Sequence, residues 1–136
     1  MIIAKNHKLV FVTETALEQV TVIGDRTRLI QIMTNLFSNA ARNTPADGHI
    51  TISLETTTKN AKIKVIDNGV GISRDAMKNL LDLFVQAEIS TARNNGGLGL
   101  GLALVKSLLD LHKGNVVASS DGEDLGSTFC VALPLK

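Results

Sequence analysis

The chain has 136 residues, the size of one ordinary domain, and 44% of them are apolar, as in a globular protein with a buried core. Its 14 basic and 13 acidic residues leave a formal net charge of +1, and its aromatic residues are four Phe without Tyr or Trp, so the sequence gives no sign of a nucleic-acid surface. Cys130 is the single cysteine, which excludes an internal disulfide and a multi-cysteine zinc site.

The first third of the chain predicts two short strands and a long helix. The strands are expected at 8–12 and 20–23. Asp25 suits the N-cap of a helix from Arg26 to Asn43, because apolar residues recur there at i, i+3, i+4 and i+7. The residues around Pro45 end this pattern.

The rest of the chain predicts a hairpin, two further helices and two closing strands. Apolar and polar residues alternate at 50–55 and 61–67, which is typical of an antiparallel hairpin with one wet face. Helices are expected at about 73–81 and 99–112, separated by a polar, glycine-ended loop. The closing strands are 115–119 and 127–133. Without a repeat or a low-complexity linker, residues 1–136 are predicted to form a single domain.

The N-terminal residues do not form a signal peptide, and no apolar run reaches the roughly 18 residues that a membrane span needs. We therefore expect a soluble, cytosolic chain without direct membrane contact.

A narrow polar strip runs along the first long helix. Asn35, Asn39 and Arg42 fall at i, i+4 and i+7 beside the apolar stripe. They could form a solvated flank, but such a face usually carries Glu and Lys, and Asn is a mediocre helix former. Two amides and a guanidinium could instead present oxygens to a hard cation and positive charge to phosphates.

Asp67 ends a predicted strand on the parity of its apolar residues, so its carboxylate should point to the buried face. A buried carboxylate without a partner costs several kcal/mol, so the protein or a ligand must supply one. Gly69 and Gly71 follow and allow close approach of a ligand to the backbone. A simple turn is the alternative, although a helix rather than a second strand comes next.

The run Gly-Gly-Leu-Gly-Leu-Gly-Leu at 96–102 leads into the last predicted helix. It lacks the Lys-Ser or Lys-Thr of a Walker loop and the spacing of the dinucleotide-binding motif. Glycines at a helix N-terminus can still bind an anion through free N–H groups, while a flexible hinge remains the alternative.

In chain order, these motifs resemble the ATP-binding domain of sensor histidine kinases, in the superfamily that includes gyrase, the heat-shock-chaperone ATPases and the mismatch-repair ATPases. Residues 31–42 resemble its asparagine box, 67–72 its first glycine box, Leu83-Phe84 its phenylalanine box and 97–102 its second glycine box, and residues 126–129 before the last strand also fit. The resemblance implies a Bergerat-type α/β (α+β) two-layer sandwich. A mixed, mostly antiparallel sheet of about five strands would be covered on one face by about three helices, with a mobile ATP lid at 86–98.

The resemblance also implies ligands and roles. Asn39 would coordinate Mg²⁺, Arg42 would approach the phosphates, and Asp67 would accept the adenine amino group, helped by Thr128 and by the backbone at Gly71. Phe84 would anchor the start of the lid. The implied ATP-binding residues are Asn39, Arg42, Asp67, Gly69, Gly71, Ile72, Phe84, Gly97, Leu98, Gly99, Leu100, Gly101, Leu102 and Thr128.

The residue type at position 35 distinguishes the ATP-hydrolysing members of the superfamily from the kinases. Hydrolysing members of the superfamily have Glu there, and an amide cannot act as a base at neutral pH, so the resemblance implies phosphotransfer with Asn35 and Arg42 as the catalytic pair. His7, His49 and His112 lack the family's phosphoacceptor setting, and we expect surface or helix-end positions for them. The acceptor would be a histidine on a dimerisation domain of the same kinase, with a response regulator as an indirect partner.

Two other functions stay open. One is a degenerate module that holds nucleotide or docks a partner, because Asn43 replaces an aromatic residue beside the adenine and Leu98 a frequent Thr or Ser. The other is a serine-directed kinase of the same fold. The chain could also be the cytoplasmic part of a membrane-bound sensor.

Overall fold

The computed structural model describes residues 7–13, 20–86 and 97–136. In these ranges a five-stranded sheet is accompanied by three helices. The strands are β1 (Lys8–Thr13), β2 (His49–Thr56), β3 (Asn60–Asp67), β4 (Asn115–Ser119) and β5 (Ser127–Pro134). The helices are α1 (Arg26–Asn43), α2 (Arg74–Gln86) and α3 (Gly97–Leu111). The predicted mixed sheet with three helices is confirmed.

Across the sheet the strand order is β1-β2-β3-β5-β4. β1 pairs with β2 in parallel, and the other three pairs are antiparallel. β3 therefore lies in the middle of the sheet and ends at Asp67, which pairs with Ile50 on one side and Ser127 on the other.

Side-chain caps define the first residues of α1 and α2. The Asp25 carboxylate accepts hydrogen bonds from the backbone N–H of Thr27 and Arg28, so α1 begins where it was predicted to begin. The Ser73 hydroxyl accepts from the N–H of Ala76, which makes it the N-cap of α2. α2 continues beyond the predicted end to Gln86.

One face of the sheet carries the core. Alternate residues of β5 are buried from Ser127 to Leu133, and the apolar stripe of α1 packs on the same side. The core joins all three helices to the sheet through Ile32, Leu36, Ile50, Val65, Leu80, Phe84, Leu102, Val105, Leu109, Phe129 and Val131. On the opposite face Lys64 pairs with Glu55 at 3.1 Å, and the hydrogen bond and charge of this carboxylate raise the pKa of Lys64.

The structure differs from the prediction at residues 20–23 and at the start of α3. Residues 20–23 do not form a strand, since Val22 makes only an isolated bridge with Leu135. α3 begins two residues earlier than predicted, at Gly97. Most of the predicted loop and lid at 86–98, namely residues 87–96, is outside the described residues.

Within the described ranges no helix is both long and apolar enough to cross a membrane.

Candidate functional site

Asp67 lies at the end of the central strand with 4% of its surface exposed. Its Oδ1 accepts a hydrogen bond from the backbone N–H of Gly69 at 2.9 Å. Its Oδ2 accepts from the hydroxyl of Ser127 at 2.7 Å. The predicted inward orientation is confirmed, and these two donors hold the carboxylate in one position while oxygen lone pairs remain available.

The hydroxyl that contacts the Asp67 carboxylate belongs to Ser127 and not to Thr128, and the strand register explains why. Ser127 is the partner of Asp67 across the β3–β5 pair, whereas Thr128 pairs with Ile66. Successive side chains of a strand point to opposite faces, so Thr128 is directed away from the face that carries Asp67. The sequence held the signal, because Phe129 is a plausible core residue and Ser127 shares its parity.

The glycine turn after Asp67 is packed against neighbouring backbone. A Cβ on Gly69 would collide with the carbonyl of Asn43 at the end of α1. Gly71 has φ of 71°, and a Cβ there would collide with the carbonyl of Gly122. Both positions therefore require glycine, one for close approach and the other also for its left-handed backbone. The turn lies between α1 and the β4–β5 loop.

Asn39, in the middle of the polar strip of α1, is more deeply buried than its predicted position at the border of the apolar stripe implied. Asn39 is 1% exposed, and its Oδ1 accepts a hydrogen bond from Asn43 Nδ2 at 3.3 Å. The Nδ2 atoms of Asn35 and Asn39 are buried and have no partner among the described residues. Arg42 is exposed on the same helix. Buried polar atoms without partners are uncommon, so a ligand is expected to complete this strip.

The amides fit a hard cation. An Asn side chain carries oxygen and nitrogen on arms of nearly equal length. A half-turn of both Asn39 and Asn43 brings the oxygen of Asn39 to the unpartnered position and keeps their hydrogen bond, which then runs from Asn39 Nδ2 to Asn43 Oδ1. An amide oxygen is a suitable Mg²⁺ ligand, and magnesium usually takes few protein ligands because it keeps several waters. The Asn39 amide is therefore chemically suited to supply one ligand to Mg²⁺.

Asn43 brings the two parts of the site together. Its carbonyl accepts a hydrogen bond from the N–H of Val70, in the glycine turn, at 2.9 Å. Its side chain contacts Asn39 one turn earlier in α1. Through these contacts the buried carboxylate of Asp67 and the buried amide of Asn39 belong to one end of the fold.

The glycine-rich run opens α3, whose first N–H groups have no acceptor within the helix and lie at the positive end of the helix dipole. A Cβ on Gly101 would meet no described heavy atom within 4 Å, so packing does not require glycine there. Leu102 and Phe84 are buried in the core, and Ile72 packs against it. The side chains of residues 97–100 are outside what the structure describes.

The three histidines differ in setting. His49 is exposed. His7 is half-buried rather than at the surface, and its Nε2 donates to the carbonyl of Thr44 at 2.8 Å. His112 follows α3, as predicted, and its Nε2 accepts from the N–H of Asp25 at 3.0 Å, which ties the end of α3 to the start of α1.

Comparison with known proteins identifies the family. The pattern described as "Histidine kinase-, DNA gyrase B-, and HSP90-like ATPase" matches residues 24–136. The catalytic domain of the histidine kinase ThkA superposes with a TM-score of 0.78 and 27% identity, over 98% of this chain and 83% of that one. The catalytic domains of histidine kinases thus share this fold.

Curated relatives are sensor kinases of greater length. The sensor protein CiaH of Streptococcus pneumoniae is 36% identical over 134 residues, which are 98% of this chain and 30% of CiaH. The hybrid signal transduction histidine kinase D of Dictyostelium discoideum is 33% identical over 138 residues, which are 84% of this chain and 9% of that kinase. The chain therefore spans less than a third of these relatives.

Proposed function

This chain belongs to the family of histidine kinase-, DNA gyrase B- and HSP90-like ATPases and has the fold of a histidine kinase catalytic domain, and on that premise we propose that it binds ATP with Mg²⁺ and transfers the γ-phosphoryl group to a histidine. The acceptor belongs to a separate dimerisation domain of the same kinase, in two-component signal transduction, and a response regulator receives the phosphoryl group afterwards. The observation that carries the proposal is the buried carboxylate of Asp67, held by two donors beside a glycine turn.

Asp67 binds the base. An ionised carboxylate only accepts hydrogen bonds, so it pairs with the exocyclic amino group of adenine and disfavours a base that presents a carbonyl oxygen at that position. Gly69 and Ser127 fix its two oxygens before the base arrives, which reduces the entropy that binding must overcome. The Gly71 backbone lies beside the base.

The phosphates bind at α1 and at the start of α3. Mg²⁺ supplies positive charge to the phosphate oxygens when bound. Asn39 offers it an amide oxygen, and the exposed guanidinium of Arg42 lies on the same helix face for the phosphates. The N–H groups of the α3 N-terminus, at 97–100, add anion-binding capacity.

Asn35 directs the chemistry towards a protein acceptor. Its amide cannot remove a proton from water at neutral pH, so the site binds and orients ATP without activating water. The unpartnered Nδ2 of Asn35 is a donor that can hold a phosphate oxygen or a bound water in place. The nucleophile then comes from the histidine of the partner domain.

Reconstitution tests the proposal. The purified chain is mixed with radiolabelled ATP, Mg²⁺ and a separately produced histidine-containing dimerisation domain from a related sensor kinase. We expect label on the partner domain that is lost in acid, as for phosphohistidine, and no label when its acceptor histidine is replaced or when Asp67→Asn is used.

The outcomes separate the alternatives. Acid-stable label on a serine would assign the chain to the serine-directed kinases of the same fold. ATP binding without any label, on several dimerisation domains, would leave a nucleotide-binding module and contradict phosphotransfer.

A further inference from the structure

Ser120 directly follows β4, and its hydroxyl contacts three backbone segments. Its Oγ accepts a hydrogen bond from the N–H of Ile72 at 3.0 Å and from the N–H of Gly122 at 3.2 Å. It donates its proton to the carbonyl of Gly126 at 2.6 Å, in preference to the carbonyl of Gly122 at 3.3 Å. A hydroxyl has one proton and two lone pairs, so these three bonds use its full capacity.

Two of the three segments lead directly to the base site. Ile72 follows Gly71, whose backbone the proposed function places beside the base. Gly126 precedes Ser127, whose hydroxyl holds the Asp67 carboxylate. The two segments are 54 positions apart in the chain, and the Ser120 hydroxyl joins them through one oxygen.

The other hydrogen bonds between these segments do not reach Ile72, so the position of Ile72 relative to Gly126 depends on Ser120. The N–H of Asp124 donates to Val70 O at 2.7 Å, and the N–H of Gly126 donates to Gly69 O at 3.2 Å. Both bonds involve the turn before Gly71. Among the described residues, Ser120 is the only side chain that forms a hydrogen bond with Ile72, on the far side of that glycine.

We propose that Ser120 is a positioning residue for base recognition, which aligns the Gly71–Ile72 backbone with the Ser127–Asp67 pair and so sets the preference of the site for a 6-amino purine. The inference rests on the proposed function, since it concerns the same nucleotide site. Ser120 touches neither base nor phosphate and acts through the backbone that it joins. A displacement of this backbone by a fraction of an ångström misaligns the amino group and the carboxylate.

The test compares ATP with purine riboside triphosphate, which lacks the 6-amino group. Calorimetry gives the Kd of both nucleotides, with and without Mg²⁺, for the wild type, Ser120→Ala, Ser120→Thr and Ser119→Ala. Ser119 is the matched control, because it is the adjacent serine, is exposed and takes no part in the site.

Ser120→Ala is expected to weaken ATP binding about tenfold and binding of the purine analogue less than about twofold, because only ATP depends on the aligned amino-group contact. The preference for ATP then falls about fivefold or more, while the effect of Mg²⁺ is unchanged. Ser120→Thr keeps the hydroxyl and restores most of the preference. Ser119→Ala behaves as the wild type.

An equal loss for both nucleotides, or no loss for either, overturns the proposal. A wild type that binds ATP without preference over the analogue contradicts base recognition by Asp67, and thereby the proposed function itself. If Ser120→Ala does not fold, Ser120→Cys and Ser120→Gly are measured in the same way. Failure of all three to fold would assign Ser120 to stability alone and reject a role in selectivity.

Discussion

The two ends of the site differ in how completely the protein satisfies them. At the end proposed to bind the base, hereafter the base end, both oxygens of Asp67 have protein donors, Gly69 and Ser127. At the end proposed to bind the phosphates, hereafter the phosphate end, the Nδ2 atoms of Asn35 and Asn39 are buried without a partner among the described residues. The first end is organised before a ligand arrives, and the second awaits one.

From this difference we expect the base end to contribute affinity without the metal and the phosphate end to depend on Mg²⁺. A prearranged acceptor binds a base without reorganisation, so its contribution should not depend on Mg²⁺. A buried amide that lacks a partner gains most when an ion or phosphate supplies one. Variants at the two ends should therefore respond differently to Mg²⁺, and the following experiments test that division.

The largest effect is expected at Asp67. In Asp67→Asn the amide replaces a charged acceptor with a neutral group that also presents N–H donors to the adenine amino group. We expect ATP affinity to fall about a hundredfold or more, equally with and without Mg²⁺. Calorimetry measures both, and Asp124→Asn, in the exposed β4–β5 loop, is a control for the loss of one negative charge.

Asn39→Ala should remove only the contribution of the metal. We expect ATP affinity in the presence of Mg²⁺ to fall about 10- to 100-fold, towards the metal-free value. Ala removes the unpartnered Nδ2 and favours the helix, but it also loses the hydrogen bond from Asn43, so thermal stability should change little. A loss of the same size without Mg²⁺ would show that Asn39 serves the base end or the fold instead.

Gly101→Ala separates stability from function at the start of α3. The added Cβ meets no described atom, and Ala favours a helix over Gly by about 1 kcal/mol, so the free energy of unfolding should rise by about that amount. If the glycines allow α3 to adjust to the phosphates, ATP binding should weaken about tenfold. Chemical denaturation and calorimetry on one sample give both values. Unchanged affinity would mean that Gly101 has no role in binding.

The smallest effect is expected at Asn43, where the family often has an aromatic residue. Asn43→Tyr offers a ring beside the base and loses the 3.3 Å hydrogen bond to Asn39. Stacking on a base contributes about 1 to 3 kcal/mol, so the net expectation is about fivefold tighter ATP binding. Asn43→Leu, which lacks the ring, should not tighten it, and equal tightening by Leu would point to burial rather than stacking.

Local sequence patterns predicted much of this fold. The inward direction of Asp67 followed from strand parity, and the start of α1 from the Asp25 cap, because both depend on neighbouring residues alone. The failed strand at 20–23 has strand-like composition but pairs only through Val22 and Leu135, which tertiary contacts decide.

Contacts within the site were harder to predict for the same reason. Ser127 and Thr128 are adjacent hydroxyl residues. Parity with Phe129 favours Ser127 for the buried face, but the register between β3 and β5 is needed to place it opposite Asp67. The burial of Asn39 and the contact of Ser120 with Ile72 also depend on segments distant in the chain. Local sequence patterns identify the buried faces of helices and strands and the helix caps. Hydrogen bonds between segments that are distant in the sequence can be known only from the folded structure.

The most direct test of the account is a calorimetric titration of the unmodified chain with ATP, with and without Mg²⁺, beside the Asp67→Asn variant. The account predicts binding in both conditions, stronger with Mg²⁺, and loss of both in the variant. Absence of binding at millimolar ATP, or binding that the variant keeps, would contradict a nucleotide site organised around Asp67.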